Sequence, residues 1–229
     1  MAAVTLTTLR ARSRERADMP VAGFVPDSAT GIDAWINEGV QKLQERLIRA
    51  YGEDFLEKSA AITTISGTTD YALPADFLVL YGVELNVGGK TFSLLKYNHA
   101  ERNLYKNSAK TSWRQLPRYR LSGMQAGVVR LLPAPDGAYS GAIWYAPVAT
   151  LLVEAAETVN FPNGWERYIV AYTAIQMLMK EESSVTDLRG EFKAMETELA
   201  EIAQRRDADQ PHSAVDIEAV RDDNPLAYF

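Results

Sequence analysis

Apolar residues recur at helical spacing toward both ends of the chain and alternate at strand spacing between them. Ile32, Ile36, Val40, Leu43 and Leu47 fall at three- and four-residue intervals, with Trp35 beside them, and form one apolar stripe. The spacing predicts a helix capped by Asp27 or Thr30, where Thr30 and Asp33 resemble a capping box, and ended at Tyr51-Gly52. Ahead of it, a helix from about Thr5 to Met19 is stopped by Pro20. From Trp165 to Met179 polar residues are scarce, which predicts a helix buried on most sides, opened by Asn163 with Glu166 three residues on. After Thr186-Asp187, the residues Leu188, Phe192, Met195, Leu199 and Ile202 keep strict four-three spacing. That is a helix-pairing seam of about two heptads, too short for a free coiled coil.

The middle of the chain reads as strands. Val83, Leu85 and Val87 alternate with Glu84 and Asn86, Phe92 and Leu94 alternate with Thr91 and Ser93, and Gly88-Gly89 between them marks a hairpin turn. Tyr119 and Leu121 alternate with Arg118 and Arg120, while Val129 to Leu132 and Ile143 to Tyr145 supply further strand. Asn98 to Lys106 reads as a short helix. The expected fold class is α+β: a helical bundle from N- and C-terminal helices, with a small antiparallel sheet or sandwich inserted and an extended C-terminal tail. The expected divisions are residues 1–58, 59–150, 151–208 and 209–229.

A chain of 229 residues with 47% hydrophobic and 24% charged residues can build its own core. It contains no cysteine, which excludes disulfides, thiolate zinc sites and cysteine nucleophiles. No apolar run reaches the roughly 18 residues that a membrane helix needs, and Met1 to Arg16 lacks the apolar core of a secretory signal. The net charge of −6 argues against a dedicated nucleic-acid binder. Charge is unevenly placed. Asp209, Asp216, Glu218, Asp222 and Asp223 stand against Arg221 alone from residue 209 onward, a balance of −4, which leaves −2 for the rest. At the other end Arg10, Arg12, Arg14 and Arg16 form a basic segment. The first expectation for these arginines is a solvated face, with an interface or phosphate-facing role as the alternative.

No catalytic, cofactor or metal site is expected. His99 and His212 lie far apart, outside any metal-ligand spacing. Gly89-Lys90-Thr91 mimics the end of a phosphate-binding loop, but Glu84 stands where its first glycine belongs and a strand follows in place of a helix. Asp76, between Ala75 and Phe77, is the nearest candidate for an acid with a raised pKa, and a turn role after Pro74 explains it. Tyr97, Tyr105, Trp113 and Tyr119 interleave with Lys96, Arg102, Lys106, Lys110, Arg114 and Arg118. This mixture suits a stacking surface for nucleic acid or a protein interface, and the acidic chain favours the interface.

Several strings follow one another in a recognisable order: Asp33-Ala34-Trp35-Ile36-Asn37-Glu38-Gly39, Tyr71-Ala72-Leu73-Pro74-Ala75-Asp76-Phe77, Arg118-Tyr119-Arg120-Leu121, Leu132-Pro133-Ala134-Pro135, Tyr145-Ala146-Pro147, Trp165-Glu166-Arg167-Tyr168-Ile169-Val170 and Arg206-Asp207-Ala208. Together they resemble the head-to-tail adaptor proteins of tailed bacteriophages. The resemblance implies a structural virion protein of the neck, with no catalytic residues and no cofactor. Its copies, typically twelve, form a ring under the portal protein, prolong the DNA channel without sequence-specific binding and offer a platform to tail or nozzle proteins. Arg10, Arg12, Arg14, Arg16, Trp35, Asp216, Leu226, Tyr228 and Phe229 are the candidate portal or subunit contacts. The acidic tail ending in Leu226, Tyr228 and Phe229 is expected to order on docking. The competing reading is a DNA-binding or regulatory module that uses the basic first helix.

Overall fold

The apolar stripe from Ile32 to Leu47 meets a second apolar surface near the other end of the chain, and joining the two closes the fold. The structure is a computed structural model and describes residues 4–20, 24–52, 56–106, 116–123, 127–159, 161 and 164–204. In chain order the elements are α1 (Leu6–Arg16), α2 (Ile32–Tyr51), β1 (Lys58–Thr63), β2 (Asp70–Ala72), β3 (Phe77–Val87), β4 (Lys90–Ser93), a 3-10 turn (His99–Glu101) leading into α3 (Arg102–Lys106), β5 (Arg118–Ser122), β6 (Val128–Leu132), β7 (Ser140–Pro147), α4 (Glu166–Lys180) and α5 (Thr186–Gln204).

Helix α4 is the centre of the helical unit. Its residues Tyr168, Ile169, Ala171, Tyr172, Ala174, Ile175 and Met177 are buried on every side but one, as the scarcity of polar residues requires. Leu6 and Leu9 of α1 and the stripe of α2 join it in one apolar cluster. Gly39 lets α2 approach closely: a Cβ there would sit 3.1 Å from Tyr172 Cδ1. Phe192 of α5 lies 4.5 Å from the Tyr168 ring centre, and Leu199 is fully enclosed. The seam of α5 holds from Leu188 to Leu199 and is lost at its end, where Ile202 is exposed.

The seven strands form two antiparallel sheets, ordered β1-β7-β3-β4 and β2-β6-β5. Ile62, Val83, Leu85, Ile143 and Tyr145 of the first share one core with Tyr71, Tyr119, Val129 and Leu131 of the second, so the insertion is a small sandwich. In the β3–β4 hairpin both Gly88 and Gly89 have positive φ, 64° and 78°, the pair of left-handed residues that a two-residue turn of this kind requires. Among the described residues no helix is long and apolar enough to cross a membrane.

Helix ends differ from the expected ones. Neither Asp27 nor Thr30 caps α2. Its N-cap is Gly31, and the chain folds back so that the Pro26 carbonyl accepts from Ile32 N–H at 3.1 Å. The backbone thus satisfies the first amide, which frees Asp27 and Asp33 for arginines. Helix α1 stops at Arg16, ahead of Pro20, with Asp18 left-handed at φ 54°; Met19 N–H donates to Arg14 O and Asp18 N–H to Glu15 O. This double closure is a Schellman motif. Helix α4 ends the same way at Glu182, φ 62°, with Ser183 N–H bonded to Leu178 O and Glu182 N–H to Met179 O. At its start Trp165 takes the N-cap position without a side-chain bond, and Asn163 lies outside the described residues.

A left-handed Glu182 strains the backbone, and glycine does not. Glu182→Gly is therefore expected to raise the stability of the protein by about 0.5–1 kcal/mol, read as a higher urea midpoint with an unchanged slope.

Candidate functional site

The basic segment of α1 turns Arg10 and Arg14 inward and leaves Arg12 and Arg16 exposed. Arg10 makes a two-pronged pair with Asp33 of α2, Nε to Oδ1 at 2.6 Å and Nη2 to Oδ2 at 2.7 Å. The Asp33 side chain is only 8% exposed, and the hydrogen bond to it raises the Arg10 pKa still further. Arg14 is buried and donates from Nη2 to the Val25 carbonyl at 2.6 Å and to Asp27 Oδ1 at 2.5 Å. Arg16 pairs with Glu191 of α5. Arg12 alone of the four stays exposed with no ion pair to a described residue. The solvated face expected for this run is therefore overturned at Arg14: residues one turn apart find carboxylates supplied by the following turn and by α2.

Other polar contacts lock the crossover from sheet to helices. Asn37 donates from Nδ2 to Leu152 O at 2.9 Å and accepts from Leu152 N–H at 2.7 Å, so one side chain holds a backbone segment at both of its groups. Gln44 donates to Pro147 O, and Leu6 N–H donates to Glu157 O at 2.9 Å. Three arginines from three helices bind α5: Arg16 on Glu191, Arg46 on Glu196 and Arg167 on Glu198. Trp35 is half-buried against the helical core, and Lys180 Nζ lies 5.8 Å from its ring centre. The tail candidates Asp216, Leu226, Tyr228 and Phe229 lie outside the described residues.

Asp76 does not carry a raised pKa. Its carboxylate accepts from Lys58 Nζ at 2.5 Å and from Tyr145 Oη at 2.9 Å, and the lysine first, then the tyrosine, hold its pKa low. It ties β1 to β7 across the start of the sheet. Among the described residues no three His, Asp or Glu side chains gather where a metal ion could sit. The described aromatic residues of the basic and aromatic mixture from Lys96 to Tyr119 are spent on packing: Tyr97 and Tyr119 are buried, and the Tyr105 ring lies 4.6 Å beneath the Arg118 guanidinium, while Trp113 lies outside the described residues. What the basic residues among them do build is a cavity of about 770 Å³ between α3 and the second sheet, lined by Tyr97, His99, Arg102, Lys106, Arg120 and Arg130 among others. Sequence reasoning placed Tyr97, Arg102 and Lys106 in one basic and aromatic mixture but did not join His99, Arg120 and Arg130 to it. The available signal was local charge, because residues 96–135 hold eight Lys and Arg against Glu101 alone.

The family model described as SU10 adaptor protein matches residues 4–215, nearly the whole chain. The chain belongs to the SU10 adaptor protein family. Membership agrees with the resemblance drawn from the ordered strings above, and it gives the chain a structural role as a phage adaptor. No curated protein matches the chain. The match spans both the helical unit and the sandwich, so the inserted strands are part of what makes the SU10 adaptor family recognisable.

Removing the Asp33 carboxylate leaves a half-buried guanidinium without its fork partner. Asp33→Ala is expected to cost about 1.5–3 kcal/mol in urea unfolding. Arg12→Ala, which breaks no pair seen here, should shift stability by less than about 0.5 kcal/mol. Acid should reveal a second set of contacts. The Asp70 and Asp76 carboxyls are both held below the ordinary carboxylate range, Asp70 chiefly by Arg130. Their stabilisation is complete above the unfolded-chain value of about 3.9 and disappears as pH falls below it through the lowered folded values. Between pH 6 and pH 3 the wild-type urea midpoint should therefore fall further than that of an Asp70→Asn, Asp76→Asn double variant.

Proposed function

We propose that the protein is a head-to-tail adaptor of the virion neck. Copies of the chain form a ring, of twelve by the family resemblance, seated between the portal protein and the tail or nozzle proteins, and the ring extends the channel through which DNA passes. The family match over residues 4–215 carries this reading. It assigns the chain no catalytic step and no cofactor.

A closed ring needs head-to-tail contacts, so each copy must present two different surfaces. Two features suit that need. Leu151 and Val153, 49% and 72% exposed, form an apolar ridge on the crossover that Asn37 holds in place, a surface a neighbouring copy would cover. Arg12 on α1 and the acidic segment from residue 209 onward offer opposite charges at the two ends of the chain. The reading as a DNA-binding module through α1 is disfavoured, because Arg10, Arg14 and Arg16 already bind carboxylates within the chain. Trp35, beneath Lys180 at the edge of the helical core, remains a candidate contact.

Native mass measurement of the purified chain, alone and with portal-bearing capsids, tests the proposal. The expected result is assembly confined to the sample that contains the portal, with removal of the residues after Gln210 abolishing attachment while circular dichroism stays unchanged. A dimer indifferent to the portal would overturn the ring, and normal attachment of the shortened chain would overturn the role of the tail.

A further inference from the structure

The second sheet places Asp70, Arg130 and Arg120 side by side, since Asp70 faces Arg130 across β2 and β6 and Arg130 faces Arg120 across β6 and β5. Asp70 is committed to Arg130 by two hydrogen bonds, of 2.7 and 2.8 Å. The row thus holds two guanidinium groups and one carboxylate, already taken by Arg130, and like charges directly opposite on neighbouring strands repel. Arg120 Nη1 is buried and meets no acceptor among the described residues. A buried donor left in this state is costly, and the Arg120 side chain lines the cavity without an ion pair to a described residue, which leaves its charge for an acceptor supplied from outside.

Helix α3 brings more positive charge to the same space. Arg102 and Lys106, one turn apart, line it with His99, whose pKa is lowered by Arg102 first and then by Arg120. Glu101, the single acid of residues 96–135, is occupied with the Asn98 backbone N–H at 3.2 Å. Residues 107–115 and 124–126, which lie outside the described residues, contain Lys110 and Arg114 and no acid. The region therefore carries +7 in a chain of net −6, and all remaining residues carry −13. The chain-wide charge conceals this segregation.

Guanidinium forks match phosphate oxygens in pairs. Among the described residues the nearby aromatic rings are unavailable for stacking, because Tyr97 and Tyr119 are buried and Tyr105 is covered by Arg118. The same burial keeps these three rings from serving as the exposed aromatic anchors that the centre of a protein interface uses. We propose that this cavity is a phosphate site that holds the phosphodiester backbone of nucleic acid without reading its bases. Contacts of this kind position a nucleic acid and carry no sequence information. The site goes beyond the adaptor reading and uses none of the contacts assigned there to the portal or to neighbouring copies.

Fluorescence anisotropy of a short labelled duplex, with the full chain titrated at several salt concentrations, tests the site. Affinity should fall linearly with the logarithm of salt, with similar values for duplexes of unrelated sequence. Arg120→Gln and Arg102→Gln should each weaken binding roughly tenfold and lower the salt slope by about one. Arg102 lies on an exposed short helix, so its replacement tests the site even if Arg120→Gln disturbs the sheet. Lys193→Gln, on the exposed side of α5, should leave binding unchanged. Pyrophosphate should compete with the duplex; pyrophosphate bound by calorimetry with no duplex binding would overturn the nucleic-acid assignment. Absence of both, equal loss in Lys193→Gln, or stronger competition by polyglutamate than by pyrophosphate would overturn the phosphate site itself.

Discussion

The fold depends on enclosing one helix. Helix α4 buries nearly its whole circumference, and no single neighbour can cover it. Full burial of each large apolar side chain is worth about 1.5–3 kcal/mol, whereas an exposed ion pair contributes at most about 1 kcal/mol. Removing α4 from water therefore outweighs the surface pairs around it. Its covering helices α1 and α2 lie at the other end of the chain, so the sandwich between them must return the chain to where it left. Antiparallel pairing of β1 with β7 does this, placing Lys58 opposite Tyr145 just after α2 and just before the crossover. Asp76, bound to both Lys58 and Tyr145, secures that junction.

Polar contacts in the helical unit specify position more than they add stability. Asn37 and Gln44 extend from the apolar face of α2 to the Leu152 and Pro147 backbones and set the path of the crossover. Arg10 and Asp33 fix the angle between α1 and α2 through a geometry that lysine could not reproduce. The arginines that bind α5 are more exposed and contribute less each, but they come from three different helices. A helix whose apolar seam is for the most part only half enclosed gains its registration from such contacts.

The helices and the hairpin were legible because their signals are periodic and local. The stripe from Ile32 to Leu47, the scarcity of polar residues after Trp165 and Gly88-Gly89 each announce one element without help from the rest of the chain. Helix ends were less legible: left-handed Asp18 and Glu182 carry no glycine to mark them, and the α2 cap is a backbone carbonyl. The partners of the arginines were invisible for a different reason. Arg10 meets Asp33, and Arg16 meets Glu191, only once α1 has packed, and no spacing along the sequence encodes such meetings. The basic cavity was legible in principle, but only by weighing charge over a window about as long as the sandwich wall that builds it.

That charge arrangement constrains how copies can meet. The segment from β1 to β7, residues 58–147, carries +5 in a chain of net −6, which leaves −11 to the rest, and exposed charges act over roughly 8–10 Å at ordinary salt. Two copies brought together by their sandwiches would repel, while sandwich against helical unit would attract. Such head-to-tail bias favours heterologous contacts, the class from which rings are built, over the two-fold contacts of a dimer.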